Sequence, residues 1–268
     1  MVYGVHMQSK QQAVDELAAQ GVMGAIRWAY ASAVARTLDD YSEGTGHNGA
    51  WLGTTRYTLT HDRLDRVFAC GRYQLPADVE STTGLDLLHE DLTPSDIASM
   101  PFVARDLVTR DNLNSSPGWA TSSYRFLLAS GEFGKLQSIA WPGKSATKQL
   151  VARQPDPDPV PSLFDHLGTT EAAQLQSSRD DASPLELDTL IIAHSLDPVS
   201  KNVELVLGRP RFNVGGGSAW YWVENLWAKP PSAGVNRDVP SRLESSTDVP
   251  DAPVRLRPRE DVERRGSE

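Results

Sequence analysis

Thr189-Leu190-Ile191-Ile192-Ala193-His194-Ser195 and Val203-Glu204-Leu205-Val206-Leu207 are two apolar, partly β-branched runs. Between them, Asp197-Pro198-Val199-Ser200-Lys201-Asn202 is dense in turn formers, so the pair predicts a β-hairpin. Gly215-Gly216-Gly217 then leads into Ala219-Trp220-Tyr221-Trp222-Val223, a third strand loaded with aromatics. A regular strand alternates its side chains, which puts Trp220 and Trp222 on one face and Tyr221 on the other. The folded body therefore ends in a sheet. After Trp227 the composition changes: residues 228–268 hold six prolines, no aromatic, eight basic and eight acidic side chains. Such a segment buries too little apolar surface to offset the entropy of ordering it, and a disordered tail is expected over 228–268.

Upstream of the hairpin, strands are expected at Val103–Thr109, Ser123–Ala129, Lys135–Trp141 and Ser145–Arg153, the last also readable as a helix. Asn114-Ser115-Ser116-Pro117-Gly118 and Pro142-Gly143 are turn signals, the latter fitting a type II turn. Residues 154–161 alternate proline with aspartate and read as an extended strap, because each proline biases its predecessor away from helix. A helix over Ser162–Gln176 and a polar loop over Ser177–Pro184 follow.

The N-terminal part changes period. Val22, Ile26, Tyr30, Ala33, Val34, Leu38 and Tyr41 recur on one 3.6-residue face, opposite Arg27, Ser32, Arg36 and Asp39. Residues 10–42 are thus helical, with a break at Gly21. Ser42–Gly53 reads as a loop, and Thr60 as the N-cap of a helix over His61–Cys70 that stops at Gly71. Thr93-Pro94 opens a short helix. The fold class is α+β: a helical region, 10–100, packed on a mostly antiparallel sheet, 102–227, in one body over 1–227.

The chain has 268 residues, 39% of them hydrophobic with seven tryptophans, enough for a sizeable core. No run of about 18 apolar residues is present for a membrane span. The first ten residues lack the basic–apolar pattern of a secretory signal, and Met7 is an alternative start. The single cysteine, Cys70, allows no intrachain disulfide, which suits a reducing, cytoplasmic compartment. Arginine outnumbers lysine 20 to 6, the bias expected of a GC-rich bacterial genome. The net charge of −9 falls within residues 1–227, where 18 basic groups face 27 acidic ones. A body of that sign repels nucleic acid unless its basic groups are segregated.

Several constellations bear on chemistry. Ser138 to Ser145 ends in Gly-Lys-Ser like a phosphate-binding loop, but Ser138 replaces the first glycine and Pro142 removes an amide from the cradle. Cys70 and His61, nine residues apart on a helix, stand about 13 Å from each other and cannot form a thiolate–imidazole pair. His61 and Asp65 share a helix face at i, i+4, and His47 and His89-Glu90-Asp91 could complete a divalent-metal set for a hydrolase or nuclease using His61, Asp65 and Glu90. Arg56, Arg63, Arg66 and Arg72, interleaved with Tyr57 and Tyr73, make the densest basic patch, with Lys144, Lys148 and Arg153 as a second. Trp220 and Trp222 are core or a partner surface.

No intact catalytic signature and no motif for a particular cofactor occurs. The first reading is a non-enzymatic binding or regulatory protein whose partner is another protein, using the arginine patch and Trp220 and Trp222. The alternatives are a nucleic-acid-associated factor and a metal-dependent hydrolase or nuclease.

Overall fold

The computed structural model describes residues 9–72, 88–157, 185–214 and 216–227. The expected helix over Ser162–Gln176, the strap beyond Pro157 and the tail from Ala228 lie outside these residues.

The body is α+β, with N-terminal helices packed on a mixed, mostly antiparallel sheet. Helix α1 (Lys10–Ala19) is capped by Ser9, whose hydroxyl accepts the Gln12 amide at 3.3 Å. Gly21 then adopts φ 76°, a left-handed conformation that breaks the chain cleanly before α2 (Val22–Asp40). Helix α2 is buried on more than the one face its periodicity indicates: Ser32 and Thr37 are buried along with Ile26, Tyr30 and Val34. It packs against α3 and α1 and reaches the sheet through Tyr30, whose hydroxyl bonds Ser195 O.

Helix α3 (Gly49–Ala69) starts eleven residues before the expected cap, and the loop before it shrinks to Ser42–Asn48. Asn48 is the true N-cap, accepting the Trp51 amide at 3.0 Å, and the His47 and Trp51 rings stack 4.0 Å apart. Thr60 sits mid-helix with its hydroxyl bonded back to Arg56 O at 2.7 Å. Two glycines made this turn of chain look like a loop, but burial of Leu52 and packing of Trp51 override their low propensity. Gly71 marks the end as expected, though for a different reason. A Cβ there would lie 2.5 Å from Val103 O, so glycine lets the 103–105 backbone pass against the helix end. Short helix α4 (Pro94–Ser99) has Thr93 and Asp96 in a reciprocal capping box.

Strands β1 (Thr109–Arg110), β2 (Gly118–Ala120), β3 (Tyr124–Ser130), β4 (Asp188–Leu196), β5 (Val203–Pro210) and β6 (Trp220–Asn225) lie side by side in sequence order. All neighbours are antiparallel except β3 and β4, which run parallel with Phe126 beside Leu190. The β4–β5 hairpin forms as expected, Leu196 opposite Val203. Val103–Val108 is irregular rather than a strand, with only Thr109–Arg110 pairing.

One further expected strand is helical, and the segment readable as strand or helix is a helix. Lys135–Trp141 folds into two 3₁₀ turns, Leu136–Ser138 and Trp141–Gly143, and Ala146–Ala152 is helix α5. Thr147, Val151 and Ala152 are its buried residues, with Thr147 and Val151 at the four-residue spacing of one helix face. Pro142-Gly143 closes a 3₁₀ turn, with Gly143 N donating to Ala140 O at 3.1 Å, instead of a type II turn.

Both faces of the sheet are covered. Phe126, Leu128, Leu190, Ile192, Leu205 and Leu207 meet α1–α3. Leu127, Ile191, Ala193 and Val206 meet Leu136, Ile139, Trp141, Val151 and Trp220 on the other side. Burial on two faces is why residues 189–195 read as an unbroken apolar run.

Candidate functional site

Helix α3 advances about 100° per residue, so its polar side chains leave in several directions and serve different ends. Arg63 is buried. Its Nε donates to Ser32 Oγ on α2 at 3.2 Å, and its guanidinium also bonds the Asp62 carboxylate and Asp91 O. Arg66 donates to Asp62 at 2.9 Å, to Leu88 O at 3.0 Å and to Glu90 O at 2.9 Å. Both arginines clamp the 88–91 segment onto the helix. Arg56 points into the core, 6% exposed. Arg72 closes the 3₁₀ turn Cys70–Arg72, and its side chain lies outside the described part, as does Tyr73. Arg56, Arg63 and Arg66 are therefore not gathered on one exposed face.

In the second basic group the side chains of Lys144 and Arg153 have partners of their own. Lys144 Nζ donates to Ser130 O at 2.7 Å, and the Arg153 guanidinium lies 3.9 Å over the Phe212 ring. Burial holds the Lys144 and Lys148 ammonium groups below their usual pKa, with Lys144 adding to the effect at Lys148.

Trp220 and Trp222 do not share a face. A bulge opposite Arg209 and Pro210 gives β6 an extra residue, Tyr221, and resets the alternation. Trp220 joins the core under α5, its indole donating to Leu136 O at 2.8 Å, while Trp222 packs against the helix-side core. The strand reading that paired them fails because Pro210 has no amide to keep the ladder regular.

Where α3 meets β1 and β2 there is a cleft of about 200 Å³, lined by Asp65, Phe68, Ala69, Val108, Arg110 and Trp119. Its floor is apolar and its rim is a polar network. Asp65 Oδ1 accepts from Arg110 Nη1 at 2.6 Å and from the Trp119 indole at 2.8 Å. The Arg110 guanidinium also lies 4.8 Å from the Trp119 ring centroid and bonds His61 Nε2. Since arginine only donates, Nε2 accepts, so Nδ1 carries the proton and faces Asp65 Oδ2 at 3.5 Å. Burial pushes the His61 pKa below its ordinary value; Asp65 opposes that and Arg110 adds to it. Arg110 and Trp119 carry no sequence signal for this role, since neither sits in a recognisable spacing with Asp65.

A second cluster lies at the end of β4. His194 is fully buried, its ring 5.2 Å from that of Tyr30, whose hydroxyl donates to Ser195 O at 2.6 Å. Arg56 is near enough for its charge to act on both Tyr30 and His194.

Among the described residues no group of three or more His, Cys, Asp or Glu side chains is placed to hold a metal ion. His61 and Asp65 are joined by Arg110, and His47 stacks on Trp51. Cys70 is buried, its sulfur accepting the Val103 amide at 3.3 Å. No described helix is long and apolar enough to cross a membrane. No family model matches the chain, and no curated protein or solved structure matches it either.

Proposed function

We infer that the protein is a non-enzymatic binding protein that recognises an extended segment of another protein through the α3–β1 cleft. The observation carrying this reading is the coincidence of an apolar depression with a sheet edge. Phe68, Ala69, Val108 and Trp119 line the depression, and β1, the outermost strand on that side among the described residues, is exposed at both of its residues. Strand addition supplies backbone affinity, and a neighbouring pocket for one apolar side chain supplies specificity. The rim groups, His61, Asp65 and Arg110, are bonded to one another, which preorganises them as a polar border.

The test is selection of a random twelve-residue peptide display library against the protein and against an Ala69→Arg variant. Ala69 lines the cleft, so the arginine fills it. The expected result is enrichment of peptides with one apolar anchor that bind the parent at least tenfold more tightly than the variant. Enriched peptides indifferent to Ala69→Arg, or no enrichment at all, would overturn the reading.

A further inference from the structure

The rim of the α3–β1 cleft contains one imidazole whose protonation state decides whether the rim holds together. His61 Nε2 accepts from Arg110 Nη2, while the same guanidinium donates through Nη1 to Asp65 Oδ1 at 2.6 Å. Both ring nitrogens are thus engaged, because Nδ1–H faces Asp65 Oδ2 at 3.5 Å. Trp119 completes the group, with its ring centroid 5.3 Å from that of His61 and 4.8 Å from the Arg110 guanidinium.

A proton on Nε2 removes the acceptor that Arg110 uses. Arginine gives up no proton in exchange, so two donors of like charge come to face each other. The groups around the ring pull both ways. From α3, Asp65 and Asp62 favour the imidazolium, and Tyr57 is a phenol that burial keeps uncharged. From β1, Arg110 opposes it, and β2 brings only the neutral Trp119. Burial opposes it most and holds the His61 pKa below its ordinary value. The ring is still open to solvent, with 25% of its side chain exposed. Of the two partners Arg110 is the one free to yield. Its long side chain is 36% exposed, whereas His61 sits four residues from Asp65 on one helix and pairs more strongly with it once charged. Arg110 is also one of the two residues of β1, and it lines the cleft.

We propose that protonation of His61 expels Arg110 from the rim and weakens the cleft, so that the protein releases its extended partner segment on acidification. The release of a partner rests on the function assigned to the cleft above. Only the neutral ring keeps Arg110 bordering the apolar floor, where it steadies β1 as a template for strand addition. The sign follows from the direction of the His61 shift: the rim is complete at pH 7.5 and is lost as the pH falls through the acid range. By linkage, a bound peptide makes His61 harder to protonate by the factor that protonation weakens the peptide.

The experiment has two arms, both on the full chain between pH 7.5 and pH 5.0. In the free protein, NMR follows the His61 ring nitrogens, the Arg110 Nε–H and the Trp119 indole N–H. All three are expected to move with one midpoint. In His61→Gln, whose carboxamide oxygen accepts from Arg110 without titrating, the Arg110 and Trp119 signals are expected to stay in place. The second arm measures a library-selected peptide that lacks His, Asp and Glu. Its affinity for the parent is expected to fall at least fivefold across this range, and its affinity for His61→Gln to change less than twofold. Arg110 and Trp119 signals that ignore the His61 titration would overturn the proposal. So would a bound peptide whose affinity is flat in the parent or equally pH-dependent in His61→Gln, and either result would leave the cleft a binding site. No peptide binding at either pH, with all three signals still titrating together, would overturn the reading of the cleft and uphold the proton-driven release of Arg110.

Discussion

Gln154 stands to Thr189 as the backbone of a neighbouring strand would. Its carboxamide donates to Thr189 O at 2.9 Å and accepts from Thr189 N at 2.8 Å, both buried, while Nε2 also donates to Val151 O at 2.8 Å. One side chain thus joins the end of α5 to the beginning of β4. Gln154→Leu would leave the Thr189 amide and carbonyl unpaired, while Val151 O keeps the Gln154 backbone amide. We expect a loss of about 2–3 kcal/mol, read as a lower urea midpoint at unchanged m-value. A loss under about 0.5 kcal/mol, the size of an ordinary surface substitution, would show that water replaces the pairing.

His194 predicts an acid-sensitive fold. Burial first, with Arg56 and Lys144 adding to it, depresses its pKa from 6.5 to about 3. The unfolded chain therefore binds a proton that the folded one refuses between those values. Stability is complete above pH 6.5 and falls as pH drops toward 3, by at most about 1.4 kcal/mol per pH unit from this group. His194→Phe is expected to flatten the stability profile between pH 6 and pH 4. An unchanged slope in that variant would place the acid sensitivity elsewhere.

The clamp on α3 predicts a local effect. Arg66 holds Leu88 O and Glu90 O against the helix. Arg66→Ala is expected to speed amide exchange over residues 88–92 at least tenfold while α3 keeps its protection. Equal acceleration across α3 would mean that the helix itself depends on this side chain.

Gly71 predicts a steric penalty without any change of backbone angle. A Cβ at that position meets Val103 O at 2.5 Å and Arg105 N at 2.6 Å, both backbone atoms that cannot rotate away. Gly71→Ala should cost about 1–3 kcal/mol in thermal or urea unfolding. A neutral outcome would mean that the 103–105 segment shifts freely.

How far the residues announce this architecture depends on the range of the interactions that fix each part. The β4–β5 hairpin was legible because its turn lies inside six residues and its strands are buried on both faces. Helix α2 was legible by period, but its burial on a further side was not, because Ser32 goes inward to meet Arg63 from a different helix. The start of α3 was misplaced since Thr60 offers the chemistry of a cap while Asn48, after a glycine-rich stretch, supplies the actual one. Trp220 and Trp222 were set on one face because alternation takes no account of a bulge created by Pro210 on the neighbouring strand.

The arginine patch shows the limit most clearly. Spacing groups Arg56, Arg63 and Arg66, yet one enters the core and the others bind carbonyls 22–28 residues away. The cleft needed Asp65, Arg110 and Trp119 to meet across 45 and 54 residues of sequence. No local pattern encodes that meeting.

The most direct test of the binding role follows the Trp119 indole N–H and the amides of Thr109 and Arg110 by NMR while a library-selected peptide is added to the full chain. The account predicts saturable shifts at these three positions, absent in Ala69→Arg. Shifts confined to other surfaces, with the Trp119 indole unmoved, would contradict it.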